Sequence, residues 1–166
     1  MNQRYKKFIM WLLYAGLFLA VMLVQNMLFG RLRFFGVKLN LMPIVIACIA
    51  VWTGHESGAL FGLVTGLIWA ATGADDGSLA IVSFTVIGML AGWLCDSFFP
   101  RRFLPALLLS FAAVLGHELA LFLLKFYLES AVTALFAWVP VTVFLSTLAA
   151  PVLYLLAKAI GKAGSN

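Results

Sequence analysis

Charged side chains are scarce in this sequence: only 10% of its 166 residues are Asp, Glu, Lys or Arg, whereas 64% are hydrophobic. A soluble domain carries about 25% charged and about 45–50% apolar residues. So few charges cannot cover the surface of a soluble fold, which excludes a soluble enzyme, a disordered tail and a secreted disulfide scaffold. An integral membrane protein remains.

Cysteine and histidine are also too rare to build a reactive site. Cys48 and Cys95 lie far apart in or near apolar runs, and we predict that both are unpaired packing residues. The two histidines, His55 and His117, are widely separated and no third ligand accompanies them. We therefore predict no metal, no cofactor and no catalytic residue, and we expect that the protein is not an enzyme.

The net charge of +5 arises from basic residues that are spread thinly between apolar runs, so we predict no nucleic-acid partner. Lys and Arg concentrate in the cytoplasmic segments of membrane proteins. With six spans and a cytoplasmic N-terminus, seven fall inside: Arg4, Lys6, Lys7, Arg101, Arg102, Lys158 and Lys162. Four fall outside: Arg31, Arg33, Lys38 and Lys125. This count predicts that both termini are cytoplasmic.

Turn-forming residues divide the chain into six apolar segments, which predict an all-α membrane bundle formed by one domain over residues 1–166. The predicted spans are 8–29, 41–53, 58–72, 79–95, 103–128 and 131–160. The second and third are short for a full crossing. Pro140 and Pro151 fall inside the sixth, where Pro140 either kinks the helix or marks a later start.

Glycines recur at four-residue spacing in two segments, first at Gly54, Gly58, Gly62 and Gly66, then at Gly88 and Gly92. Residues at this spacing share one helix face, where the missing Cβ lets another backbone approach closely. Two interpretations remain open. The face packs inside the bundle, or it docks another membrane protein.

Few polar residues lie at membrane depth. His117 and Glu118 fall in the middle of the fifth span but point about 100° apart, so they do not pair with each other. Three interpretations remain open for them: interhelical hydrogen bonds, contact with a partner subunit, or a proton or substrate pathway. Gln25 and Asn26 are predicted to hydrogen-bond near the outer end of the first span.

Six segments together carry a family resemblance. They are VQNMLF at 24–29, RLRFFGVKLN at 31–40, LMP at 41–43, GALFGLVTG at 58–66, the loop at 73–77 and LAAPVLY at 148–154. In these segments the chain resembles the bacterial rod shape-determining MreD family. Family members usually carry an Asp at the end of the third helix, whereas here the acids come later, at Asp75 and Asp76.

The resemblance implies a non-enzymatic, multi-pass scaffold of the cell-elongation machinery in the bacterial cytoplasmic (inner) membrane. Such a protein contacts membrane lipids, binds the single-span protein MreC and links to the MreB filament. The RodA synthase and its transpeptidase would lie nearby. In the segment between the first two predicted spans, Arg31, Arg33 and Lys38 are basic residues typical of the membrane interface.

The family's fold is also similar to the substrate-binding S subunits of energy-coupling-factor vitamin transporters, which give the alternative function. A vitamin site needs clustered polar and aromatic residues at the outer end, for which Trp69, Trp138 and the acidic pair Asp75 and Asp76 are the candidates. A third hypothesis is a proton-coupled carrier that uses His117 and Glu118.

Overall fold

A computed structural model describes residues 3–29, 39–73, 77–129 and 132–165. Within these ranges all regular structure is helical. The helices are α1 (Gln3–Val24), α2 (Met42–Thr53), α3 (His55–Ala71), α4 (Gly77–Ser97), α5 (Phe103–Glu129), α6 (Val132–Thr147) and α7 (Ala150–Ser165). One π-helical turn, Gln25–Phe29, continues α1.

The helix α2 lies at the centre of the bundle. Its residues from Met42 to Val51 are all buried, because α1, α3, α4, α5 and α7 all pack against it. The sequence explains this position, since this run is apolar on every side and a helix without a polar face is stable only when it is surrounded. Pro43 lies in the first turn, where its missing N–H breaks no helical hydrogen bond.

Three helical segments are long and apolar enough to cross a membrane, and the bent pair α6–α7 makes a fourth if it counts as one span. The three are Tyr5–Met27, Gly77–Ser97 and Phe103–Leu124. Large apolar side chains cover their outer surfaces. Val82 and Leu104, for example, are 65% and 67% exposed. Helices of this length with such apolar outer faces indicate a membrane protein.

The structure thus has three to four such helices rather than the six predicted spans. The 12 residues of α2 rise only about 18 Å, against a hydrocarbon core of about 30 Å. The next helix, α3, has 17 residues. Gly54 separates the two helices with a φ of +86°, a left-handed conformation that glycine adopts without strain.

The predicted sixth span, 131–160, is also broken. α6 ends at Thr147, α7 begins at Ala150, and their axes differ by 44°. Pro151 explains the break, because its ring clashes with the carbonyl four residues earlier, at Thr147, and it has no N–H to donate. Pro140, where a kink or a later start was predicted, lies inside α6.

Candidate functional site

A group of hydrogen-bonding residues, here called the polar junction, ties the start of α2 to three other parts of the bundle. Its members are Gln25, Asn40, Glu118 and Ser146. Gln25 Oε1 accepts a hydrogen bond from the backbone N–H of Leu41 at 2.8 Å. The backbone N–H of Asn40 donates to Ser146 Oγ at 3.0 Å, and Asn40 Nδ2 donates to Glu118 Oε1 at 3.1 Å.

The polar junction compensates for a helix start that lacks a cap of its own. Leu41 occupies the N-cap position of α2 and has no side chain that can accept a hydrogen bond from the first turn. Side chains from the turn after α1 and from α6 instead accept hydrogen bonds from the N–H groups of Leu41 and Asn40. Glu118 adds a carboxyl group beside the positive end of the α2 dipole. The junction therefore fixes the central helix to α5, α6 and the end of α1.

His117 belongs to a different contact from Glu118. Its ring is 1% exposed, its Nδ1 lies 2.8 Å from Ser83 Oγ on α4, and it packs against the ring of Phe84. The donor in the Ser83–His117 hydrogen bond depends on the tautomer of the histidine. Neighbouring positions on α5 thus bond to different parts of the bundle, His117 to α4 and Glu118 to the segment that precedes α2.

Replacing Ser83 with alanine is expected to lower the stability of the bundle by about 0.5–2 kcal/mol, because His117 Nδ1 loses a buried hydrogen-bond partner. Thermal unfolding of the detergent-purified protein measures the change. Ser97→Ala, at the exposed end of the same helix, is the matched control and should leave the melting temperature unchanged. Equal melting temperatures for the two variants would contradict a stabilising role for the Ser83–His117 contact.

The close contact between α3 and α4 depends on five glycines, here called the glycine ladder: Gly58, Gly62, Gly66, Gly88 and Gly92. A Cβ atom on Gly58 would lie 2.6 Å from the carbonyl oxygen of Gly88, and one on Gly66 would lie 2.7 Å from Cα of Ile81. At Gly62 an added Cβ would collide with the backbone of Phe84. The ladder is therefore occupied by packing inside the bundle, and α3 and α4 form its most extensive helix pair.

Gly54 follows the same spacing in the sequence but has another role. It lies in the turn between α2 and α3, and a Cβ there would approach Asp96 Oδ2 at 3.1 Å. Asp96 accepts hydrogen bonds from the backbone N–H of His55 at 3.3 Å and from Arg101 at 3.0 Å, and His55 Nδ1 lies 3.2 Å from it. This exposed cluster joins the α2–α3 turn to the α4–α5 turn. Because its members are solvent-accessible, its contribution to stability is small.

An apolar groove of about 350 Å³ lies between α4 and α5. It runs along α4 from Leu79 to Leu94 and along α5 from Leu109 to Ala120. Ser83 and His117 line it, but their facing polar atoms hydrogen-bond to each other. The groove therefore presents a hydrocarbon surface.

Some of the remaining predicted residues lie in the described part of the chain and others lie outside it. Asn26 is exposed at the end of the first helix, next to the buried Gln25. Arg31, Arg33 and Lys38 lie outside the described residues, as do Asp75 and Asp76. Cys48 and Cys95 are buried free thiols.

Sequence reasoning did not identify Asn40, Ser83 or Ser146 as members of these contacts. Asn40 carried a usable signal, because a polar residue immediately before an apolar run is typical of a helix start. The two serines carried none, since single serines inside apolar helices more often bond to their own backbone.

Among the described residues, no group of three or more His, Cys, Asp or Glu side chains is close enough to hold a metal ion. Comparisons with models of protein families, with curated proteins and with solved structures find no match for this chain.

Proposed function

We propose that this protein is a non-enzymatic scaffold of the MreD type in the inner-membrane machinery of cell elongation. The ordered run of motifs from Gln25 to Gly77 carries the proposal. The fold supports it, because this run supplies both the start of α2 in the polar junction and the α3 side of the glycine ladder. The residues that carry the resemblance are thus ones that hold the bundle together, as a rigid scaffold requires.

The partners of such a scaffold are other membrane proteins and lipids. We propose an MreC-like single-span protein as the direct partner, an MreB-like filament reached through the complex, and a RodA-type synthase with its transpeptidase as neighbours. The exposed apolar faces of α1, α4 and α5 supply lateral surface for contacts within the membrane. The proposal includes both termini in the cytoplasm, which the distribution of Lys and Arg supports.

The use of the buried polar groups favours a scaffold over a carrier. A proton or substrate pathway needs several polar groups aligned along one route. Here His117 bonds towards α4 while Glu118 bonds towards the start of α2, so the two neighbours serve separate helix contacts. The groove between α4 and α5 is lined almost wholly by aliphatic side chains, which suits a polar vitamin poorly.

Depletion in a rod-shaped bacterium whose own chromosome encodes this protein tests the proposal. We expect the cells to become round or swollen, and a plasmid copy of the wild-type gene should restore rods. Rods that persist after complete depletion would contradict the proposal.

Mass spectrometry of the purified, washed and then denatured protein tests the transporter alternative in the same preparation. The scaffold proposal expects no stoichiometric vitamin. A vitamin recovered at one mole per mole of protein would contradict the scaffold proposal and support the function of an S subunit.

A further inference from the structure

The groove between α4 and α5 opens towards the outside of the bundle. On α4 its rim consists of Val82, Val86 and Leu90, which are 65%, 45% and 46% exposed. The opposite wall on α5 carries Ala112, Gly116 and Ala120, whose small side chains leave the groove open. In a bilayer this mouth faces the lipid, so any occupant must be apolar along its length.

The groove is long and lined by aliphatic side chains. From Leu79 to Leu94 it extends about 22 Å along α4, and its volume is about 350 Å³. A hydrocarbon chain can follow this length and make carbon contacts of about 3.5–4.0 Å with both walls.

The surface at one end of the groove carries exposed basic residues. Both walls end at the turn of residues 98–102, which contains Arg101 and Arg102, and both arginines are exposed. Arg101 is held by Asp96 at 3.0 Å, whereas Arg102 takes no part in the two ion pairs of Asp96. Glu56, the other acid at this end, lies on α3, which does not line the groove.

The distance from this turn to the groove suits one phospholipid. Arg102 precedes Leu109, the first groove residue of α5, by about 10 Å along the helix axis. We propose that the groove binds one hydrocarbon chain of an anionic phospholipid, with the phosphate held by Arg102 at the α4–α5 turn. The planar guanidinium donates paired hydrogen bonds to phosphate oxygens, and the aliphatic walls bury the chain. This lipid site is independent of the proposed scaffold function.

Native mass spectrometry of the delipidated protein tests the headgroup assignment. The probes are phosphatidylglycerol and phosphatidylcholine with the same palmitoyl and oleoyl chains. We expect the first phosphatidylglycerol to bind about fivefold more tightly than phosphatidylcholine, and Arg102→Gln to remove this preference. The matched control, Lys7→Gln, removes a charge from another exposed basic residue and should keep the preference. Equal binding of the two lipids by the wild type would overturn the assignment.

A second pair of variants tests the groove itself. Gly116→Leu fills the groove without a clash, because nothing lies within 4 Å of its Cβ position, and should weaken the first lipid by about tenfold or more. Gly16→Leu adds the same side chain at an equally open glycine on α1 and should leave binding unchanged. Equal affinities for these variants would overturn the groove assignment. The groove assignment would also be overturned if a single-span membrane protein co-purified with the wild type and was lost from Gly116→Leu while the lipid affinity stayed constant.

Discussion

Replacing Gly62 with leucine is expected to abolish the folded bundle, whereas the same replacement at Gly116 should leave it folded. Both glycines lie inside long apolar helices, so the sequence alone gives them similar surroundings. The structure separates them. A Cβ at Gly62 would collide with the backbone of Phe84, while nothing lies within 4 Å of the corresponding position at Gly116.

The collision at Gly62 cannot be relieved by a side-chain rotation. The atoms it meets are the carbonyl group of Phe84 and the next backbone nitrogen, so α3 and α4 must move apart. Such a movement would also open the reciprocal contact between Gly58 and Gly88. In a membrane, close van der Waals contact is a main source of helix association. We expect a loss of several kcal/mol, which is comparable to the whole stability of many proteins, about 5–15 kcal/mol.

Replacing single glycines with alanine gives a graded test of this prediction. Alanine is a better helix former than glycine by about 1 kcal/mol, so Gly116→Ala and Gly16→Ala should be neutral or slightly stabilising. Gly62→Ala and Gly88→Ala should nonetheless unfold at lower temperature, because each places a methyl group against a facing backbone. Detergent size-exclusion chromatography after heating measures all four variants. A Gly62→Ala protein as stable as Gly116→Ala would contradict the close packing of α3 on α4.

The glycine spacing shows how far the sequence alone can lead. It predicts that Gly58, Gly62 and Gly66 share one face, which follows from the geometry of one helix, and in the structure all three face α4. Whether the face packs internally or against another protein depends on the position of α4, which the spacing does not encode. The same spacing included Gly54, although a φ of +86° places this residue in a turn. A periodicity predicts a face only where the helix continues.

The helix boundaries show a similar limit. The sixth apolar run extends without a charged residue from Ala131 to Leu156, so hydropathy gave one span. The break depends on a clash between Pro151 and a carbonyl one turn earlier, which is local and has no effect on hydropathy. The polar junction was less accessible still, because Asn40 and Glu118 are far apart in the sequence and meet only when α2 and α5 pack.

The polar junction gives the second large prediction. Asn40→Asp should lower the melting temperature by about 5–10 °C at neutral pH, equivalent to roughly 2–3 kcal/mol. The substitution replaces the donor Nδ2, which lies 3.1 Å from Glu118 Oε1, with a second carboxylate oxygen. Two carboxylates at this distance in a partly buried site repel each other strongly. The start of α2 should loosen as a result.

Glu118→Gln provides both the control and the rescue. Alone it should have little effect on this contact, because the new amide keeps an oxygen that accepts from Asn40 Nδ2. Combined with Asn40→Asp, it supplies an amide donor opposite the new carboxylate and restores the hydrogen bond with its direction reversed. The double variant should therefore recover most of the lost stability, a coupling of about 1–3 kcal/mol. If the two effects simply add, Asn40 and Glu118 do not share the contact that joins α2 to α5. If rescue occurs, the pair holds the central helix in place.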